Sequence, residues 1–205
     1  MSRKRVVIFI SGGGSNMEAL IRAAEAADFP AEIVAVFSDK AEAGGLAKAQ
    51  GAGIATQVFK RKDYASKDAH EDAILEALAA LKPDIICLAG YMRLLSGRFI
   101  APYQGRILNI HPSLLPLFPG LHTHQRALDA GMKIAGCTVH LVTEGMDEGP
   151  ILAQAAVPVL AGDNAEVLAA RVLKAEHRLY ALALRKLAGE KPEAAEAADA
   201  VIVGA

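Results

Sequence analysis

The sequence contains no tryptophan, and only 5% of its 205 residues are aromatic. It also has no excess of either charge, since 22 Lys and Arg stand against 23 Asp and Glu, for a formal net charge of −1. Proteins that bind nucleic acid or an anionic membrane surface usually carry a basic excess. We therefore expect neither nucleic acid nor a membrane among the partners of this protein.

Cysteine and long apolar runs are scarce as well. Cys87 and Cys137 both lie within short apolar segments, which is typical of buried, reduced thiols rather than of a disulfide framework. No apolar run approaches the ~20 residues that span a bilayer. Basic residues do precede the apolar segment 6–10, but glycines follow it at once, which favours a first β-strand over a signal peptide. These features predict a cytoplasmic protein.

Hydrophobic residues make up 53% of the chain, enough to build the core of one sizeable domain. Apolar, strand-like segments alternate with helical patterns along its first half. These segments are residues 5–10, 31–39, 53–59, 83–91 and 106–110. Alternation of this kind predicts an α/β fold, with a doubly wound, mostly parallel, Rossmann-like sheet that helices cover on both faces.

The pattern changes after residue 112. Segments 134–143 and 151–160 are both strand-like and only a short turn separates them, so they should pair as antiparallel strands. A long helical pattern then covers residues 165–190. With no internal repeat and no linker, we predict a single domain, 1–190, and leave the alanine-rich tail, 191–205, without an assigned structure.

The loop after the first strand, SGGGSN at 11–16, is rich in glycine and leads into a helical pattern. Glycines let the backbone approach a ligand closely, and the amides at a helix N-terminus favour an anion. The side chains of Ser15 and Asn16 add donors, so phosphate is a candidate ligand. Two alternatives stay open: a tight turn that binds nothing, or a dinucleotide-binding module in which Asp39 holds a ribose, although Met17 occupies the third position of GxGxxG.

The fifth strand ends on two polar residues, Asn109 and His111. Because side chains alternate along a strand, both point to the same face. In doubly wound folds ligands bind at the carboxyl ends of the strands, so these two donors could converge on one oxyanion. Pro112 favours an extended backbone at His111. The alternative is a capped loop with an incidental histidine.

The turn GMDEGP at 145–150 contains Asp147 and Glu148. Taken alone, it is typical of a solvent-exposed acidic turn. A carboxylate from this turn would matter if it met His111, because it would stabilise the imidazolium and raise the pKa of that histidine above ~6.5.

Three further histidines suggest a metal site, but no pattern of Cys, Asp or Glu completes one, and we predict no metal. They are His122, His124 and His140. His140 shares a strand face with Thr138 and Val142, and could border the same pocket as Asn109 and His111.

Together and in this order, these motifs resemble the phosphoribosylglycinamide formyltransferase family, from Val6 to about His177. They are SGGGSN, AGYMRLL, NIHPSLLPLFPGLHTH and DEGPIL. NIHPSLLP with a later aspartate is shared among folate-dependent formyltransferases, whereas SGGGSN matches the phosphate loop of the glycinamide enzymes. The resemblance implies transfer of a formyl group from the cosubstrate 10-formyltetrahydrofolate to the amine of 5'-phosphoribosylglycinamide, in de novo purine (IMP) synthesis. It implies a monomer or a homodimer.

The resemblance also implies roles for individual residues. The catalytic group would be Asn109, His111 and Asp147, with the first two stabilising the oxyanion and Asp147 keeping His111 charged. The ribonucleotide would contact Gly14, Ser15 and Asn16 through its phosphate and Glu176 through its amine. The folate pocket would contain Lys67, Met92, Arg93, Leu94, Leu95, Asn109, Thr143, Glu144, Gly145, Met146 and Asp147.

Two positions depart from a well-known relative. Lys67 replaces an arginine near the folate tail, which keeps the charge but loses the bidentate fork. Gly13 replaces an asparagine, so that the loop loses a side chain while its backbone cradle should survive. Another enzyme that uses 10-formyltetrahydrofolate, either a hydrolase or a formyltransferase acting on a different amine, remains an alternative.

Overall fold

The computed structural model describes residues 2–189, and the chain divides after Leu108 into two compact units. We call residues 2–108 the first unit and residues 109–189 the second unit. The predicted single domain, 1–190, stays a prediction. The predicted tail, 191–205, lies outside the described residues. Within the described part of the chain, no helix is long and apolar enough to cross a membrane.

The first unit alternates strands with helices, as the apolar segments predict. Its elements are β1 (Lys4–Ile10), α1 (Ser15–Ala24), β2 (Ala31–Ser38), α2 (Gly44–Gly51), β3 (Ala55–Val58), a 3-10 turn (Arg61–Asp63), α3 (Lys67–Leu81), β4 (Ile85–Leu88), α4 (Gly97–Ile100) and a second 3-10 turn (Ala101–Tyr103). Strand β5 (Ile107–His111) begins in this unit and ends in the second one.

The strands of the first unit are parallel, in the order β3-β2-β1-β4. Val6 to Ile10 of β1 are completely buried, and Phe9 stacks on Phe37 with ring centroids 5.5 Å apart. Strands buried on both faces are characteristic of parallel sheets that helices cover. The predicted doubly wound, parallel arrangement is therefore confirmed.

The second unit contains α5 (Thr123–Asp129), β6 (Ile134–Leu141), β7 (Ile151–Pro158) and α6 (Ala165–Gly189). Strands β6 and β7 are antiparallel neighbours, as their short connection predicts. Helix α6 packs on both strands and buries one apolar face, which includes Leu168, Val172 and Leu179. The antiparallel pair near the C-terminal end is confirmed.

One predicted strand is too long. Segment 83–91 is mostly apolar, but β4 covers only Ile85–Leu88. Gly90 has a φ of 76°, which a strand does not permit, and its carbonyl accepts a hydrogen bond from Ser11 N at 3.2 Å. The apolar residues after Leu88 therefore belong to a loop that lies beside the end of β1.

The glycine-rich loop after β1 packs closely against the start of α2. Gly14 has a φ of 72°, and a Cβ atom there would lie 2.9 Å from Gly45 Cα. Gly45 N donates a hydrogen bond to Gly12 O at 3.0 Å. Both the backbone angle and the close contact exclude a side chain at Gly14, whereas Gly13 has open space around it.

We expect Gly14→Ala to lower the free energy of unfolding by about 2 kcal/mol, because alanine is strained at positive φ and its Cβ would displace Gly45. Equilibrium unfolding in urea measures the change. Gly13→Ala is the matched control, since a Cβ at Gly13 meets no atom within 4 Å. Equal losses in the two variants would contradict this explanation.

Candidate active site

A cluster of polar side chains lies at the end of β5 in the second unit. Strand β5 supplies Asn109 and His111, β6 supplies His140, and the turn after β6 supplies Asp147. His111 Nδ1 lies 3.3 Å from Asp147 Oδ2, and His140 Nε2 lies 3.7 Å from Asp147 Oδ1. Asn109 Nδ2 lies 3.2 Å from His140 Nε2. The structure thus brings the three predicted catalytic residues together, with His140 in contact with two of them.

His111 lies between two oxygen acceptors. Its Nδ1 faces the Asp147 carboxylate, and its Nε2 lies 3.1 Å from the carbonyl oxygen of Phe118. A neutral imidazole donates from only one nitrogen, so only the imidazolium can donate to both oxygens. With His111 only 5% exposed, water has little access to replace either partner. Each ring nitrogen of His111 therefore faces an oxygen acceptor of the protein.

Asp147 has a lowered pKa. Burial by itself would raise the pKa of this carboxyl, but hydrogen bonds from His140 and Gly120, together with the charges of His111 and His140, outweigh burial and lower it. The bond from Gly120 N to Oδ2 is 2.9 Å long. Asp147 therefore stays ionised near neutral pH and provides the negative charge beside His111.

The tautomer of His140 follows from its neighbours. Its Nδ1 lies 3.0 Å from the carbonyl oxygen of Leu141, so Nδ1 must carry a hydrogen. His140 Nε2 lies 3.7 Å from Asp147 Oδ1 and donates to that carboxylate when it is protonated; when it is unprotonated, it accepts a hydrogen bond from Asn109 Nδ2 at 3.2 Å. This bond fixes the orientation of the Asn109 side chain and leaves its other N–H as a donor.

The chain segment that follows His111 is held by Thr138 of β6. The buried Thr138 hydroxyl donates to Ser113 O at 2.7 Å and accepts from Leu115 N at 3.0 Å. Gln154 of β7 adds a bond to Leu115 O at 2.8 Å. These bonds hold the first part of the loop against the two strands.

The later part of this loop supplies backbone atoms to the cluster. Phe118 O faces His111, and Gly120 N faces Asp147. Arg126 of α5 stabilises the segment, since its Nη1 donates to Pro119 O at 2.5 Å and its guanidinium lies 5.5 Å from the centre of the Phe118 ring. Sequence reasoning missed Phe118 and Gly120 because they act through main-chain atoms, which leave no side-chain signal.

The acidic turn after β6 directs Asp147 inward. Asp147 itself has the left-handed backbone, with a φ of 56°. Gly149 is required for a different reason, since a Cβ there would lie 1.7 Å from Leu141 O. The other predicted folate residues of this turn are Thr143, Glu144, Gly145 and Met146, and of these only Gly145 is not exposed. Asp147 is thus the residue of the turn that the cluster holds.

The remaining histidines of α5 do not join the cluster. His122 is exposed and has a left-handed backbone at the start of α5, with a φ of 57°. His124 is half-buried, and burial followed by the charge of His111 lowers the pKa of its imidazole. Among residues 2–189, no group of three His, Cys, Asp or Glu side chains could hold a metal ion.

Glu176 lies on the buried face of α6, with 8% of the residue exposed. Its charge reaches Cys137 of β6. Burial raises the pKa of the Cys137 thiol to about 12 and the negative charge of Glu176 adds to that effect, against a hydrogen bond from the Ala155 backbone. The predicted contact of Glu176 with a substrate amine stays a prediction.

In the first unit, the predicted phosphate loop connects β1 to α1. Gly12 and Gly13 border open space, whereas Asn16 is buried in the first turn of α1. Asp39 follows β2 and lies close to this loop. Both of its carboxylate oxygens accept hydrogen bonds within the protein, one from Ser11 Oγ at 2.6 Å and the other from Arg93 Nε at 2.7 Å. Asp39 is therefore committed within the protein, which argues against the dinucleotide-binding alternative.

A cleft of about 330 Å³ opens in the first unit beside the loop after β4. It contains all five folate residues predicted for this unit. Its lining is Arg61, Lys67, His70, Glu71, Tyr91, Met92, Arg93, Leu94 and Leu95. Met92 and Leu94 are 63% and 60% exposed, which is unusual for such apolar side chains and is typical of a ligand-binding surface.

The residues around this cleft are held by a buried carboxylate. Glu71 is 2% exposed and accepts hydrogen bonds from both the backbone N and the hydroxyl of Ser96. Lys67 Nζ lies 3.7 Å from Glu71 Oε1, and its side chain is half exposed. Lys67 thus leaves its charge accessible at the edge of the cleft.

Comparison with known proteins agrees with this geometry. Residues 4–184 match the formyl transferase family. The phosphoribosylglycinamide formyltransferase of Escherichia coli (strain K12) is 45% identical over 87% of this chain and 84% of its own length. A crystal structure of phosphoribosylglycinamide formyltransferase from Brucella melitensis is 87% identical with a TM-score of 0.90, and the similarity covers 93% of this chain and 98% of that one. The chain belongs to the formyl transferase family.

The chain also resembles part of larger proteins. It is 48% identical over 91% of its length to the trifunctional purine biosynthetic protein adenosine-3 of Bos taurus, and it spans 18% of that protein. The corresponding protein of Gallus gallus is 46% identical, and the chain spans 20% of it.

The lowered pKa of Asp147 predicts a pH dependence of stability. In the unfolded chain an aspartate titrates near ~3.9. Since the folded value is lower, the ionised carboxylate stabilises the fold above pH ~4, and this stabilisation disappears as the pH falls through the folded pKa. We expect Asp147→Asn to be less stable than the wild type at pH 6, with a difference that shrinks below pH 4.

Urea unfolding between pH 6 and pH 2.5 measures this difference. Glu148→Gln is the matched control, because it removes an exposed neighbouring carboxylate that has no hydrogen bond to the histidines among those described. A stability difference for Asp147→Asn that stayed constant down to pH 2.5 would contradict the prediction.

Proposed function

We propose that the protein transfers a formyl group from 10-formyltetrahydrofolate to the amine of 5'-phosphoribosylglycinamide, giving the N-formyl product and tetrahydrofolate in de novo purine synthesis. The observation that carries the proposal is the His111–Asp147 pair with Asn109 beside it, in a chain of the formyl transferase family. The choice of substrate is supported by the glycine-rich loop and by the identity to the Escherichia coli phosphoribosylglycinamide formyltransferase.

In the proposed reaction, the amine nitrogen of the ribonucleotide attacks the formyl carbon and a tetrahedral oxyanion develops. The free N–H of Asn109 and the Nε2–H of His111 donate to this oxyanion. Asp147 holds the other ring nitrogen of His111, so Nε2–H is the donor that turns from the Phe118 carbonyl to the reacting atoms. The bond from carbon to the folate nitrogen then breaks, that nitrogen gains a proton, and the attacking amine loses one.

The ligand contacts form part of the same proposal. Gly14, Ser15 and Asn16 bind the phosphate at the N-terminus of α1, where backbone amides and the helix dipole favour an anion. Glu176 binds the substrate amine. The folate contacts are those of the cleft and of the turn that contains Asp147: Lys67, Met92, Arg93, Leu94, Leu95, Thr143, Glu144, Gly145 and Met146.

The reaction as proposed needs no metal, because the folate carrier already activates the formyl group. The cytoplasmic location and the monomeric or homodimeric state stay predictions. This chain spans about a fifth of the trifunctional purine biosynthetic proteins that it resembles, and the proposal concerns this chain alone.

The protein mixed with glycinamide ribonucleotide and 10-formyl-5,8-dideazafolate should release the deformylated folate, which absorbance follows. We expect no release without the ribonucleotide, because the attacking amine is then missing. Release in its absence would instead support a hydrolase. Activity with another amine but none with glycinamide ribonucleotide would support a formyltransferase of different specificity.

We expect His111→Ala to lower kcat at least ~100-fold, since a donor to a developing oxyanion is worth about 3 kcal/mol. The affinity for the ribonucleotide should stay within about twofold of the wild type, because the first unit carries the phosphate loop. Steady-state kinetics and calorimetry measure the two quantities, and the melting temperature serves as the control for folding. Wild-type turnover in a folded His111→Ala protein would refute the role given to His111.

A further inference from the structure

One buried carboxylate connects the two ligand loops of the first unit. We call residues 11–16 the ribonucleotide loop and residues 90–96 the folate loop. The Asp39 side chain, which is 2% exposed, accepts a hydrogen bond from Ser11 Oγ at 2.6 Å and another from Arg93 Nε at 2.7 Å. Ser11 belongs to the ribonucleotide loop and Arg93 to the folate loop, so Asp39 binds both loops at once.

Ser11 adds two direct bonds between the same loops. Its backbone N donates to Gly90 O at 3.2 Å, and its hydroxyl accepts from Met92 N at 2.9 Å while donating to Asp39. Ser11 is itself 5% exposed. The hydroxyl therefore accepts from the folate loop and donates to Asp39 at the same time.

We propose that Asp39 is a positioning residue that holds the ribonucleotide loop and the folate loop in register, so that the affinity for each ligand depends on a side chain of the opposite loop. The inference rests on the proposed function, which assigns one ligand to each loop. It adds a residue that contacts neither ligand and yet controls the binding of both.

The linkage has a physical reason to matter. Residues 11–14 of the ribonucleotide loop and the whole folate loop lack regular secondary structure to hold their shape, and the ribonucleotide loop has no side chain at Gly12 or Gly13. The far end of the folate loop is fixed separately, by Glu71 and Ser96. Without the Asp39 carboxylate, the Arg93 cation and the Ser11 hydroxyl lose their acceptor, and both loops gain freedom that each ligand must then remove on binding.

The test compares four variants with the wild type by calorimetry, using glycinamide ribonucleotide and, separately, 5,8-dideazafolate, which carries no formyl group. We expect Asp39→Ala to weaken the binding of both ligands by about tenfold each. We expect Ser11→Ala to weaken the binding of the folate analogue, although Ser11 lies in the ribonucleotide loop. Asp39→Asn keeps the shape and one acceptor for Arg93, and should recover most of both affinities.

Asp163→Ala is the matched control. The side chain of Asp163 is likewise only 4% exposed and accepts hydrogen bonds of 2.5 Å and 2.9 Å from Arg171, but it contacts neither ligand loop. It should lower the melting temperature without changing either affinity. If Asp39→Ala does not fold, Ser11→Ala decides the question through the folate analogue.

The inference is wrong if Asp39→Ala folds and weakens the binding of only one ligand or of neither. It is also wrong if Ser11→Ala leaves the affinity for the folate analogue unchanged, or if Asp39→Asn binds both ligands as poorly as Asp39→Ala does. A third contradiction would be that Asp163→Ala weakens the binding of both ligands as much as Asp39→Ala does, because the effect would then follow from lost stability. A wild-type protein that bound neither ligand would refute the proposed function instead.

Discussion

The ionised carboxylate of Asp147 is the interaction on which the cluster at the end of β5 depends. This carboxylate lies 3.3 Å from His111 Nδ1 and accepts a hydrogen bond from Gly120 N. The same anion therefore orients the His111 side chain and fixes the backbone of the loop that follows β5. Burial acts against that charge, and the surrounding donors more than compensate. Because the carbonyl of Phe118 faces the other nitrogen of His111, the imidazole ring has an oxygen acceptor on each side and a defined orientation.

The first unit uses the same principle for a different purpose. Asp39 is a buried carboxylate whose partners are the hydroxyl of Ser11 and the guanidinium of Arg93, two residues that lie in irregular backbone. In both units a buried carboxylate therefore determines the shape of irregular backbone, where neither helix nor strand hydrogen bonds can do so. Strand pairing determines where each strand ends, and the carboxylates of Asp39 and Asp147 fix the conformation of the loops near those ends.

Much of the fold and of the candidate site could be predicted from the sequence, and what could not be predicted has physical causes. Alternation along β5 was enough to put Asn109 and His111 on one face, but it could not say that Asp147 would reach them, since that depends on a contact between residues far apart in the chain; the family resemblance supplied it. The mostly apolar segment 83–91 predicted a strand that was too long, because hydrophobicity does not distinguish a buried strand from an apolar loop. Asp39 was identified as an acidic residue at a strand end and Arg93 as a folate residue, but the contact between them was not predicted.

Two members of the cluster take part only through their main chain, Phe118 by its carbonyl and Gly120 by its N–H, and both have left-handed backbone angles, with φ of 55° and 78°. At these two positions the cluster therefore depends on the backbone conformation rather than on the identity of the side chain. Any replacement that follows the same path would keep the chemistry, and a screen that reads only side-chain identity would count these positions as packing.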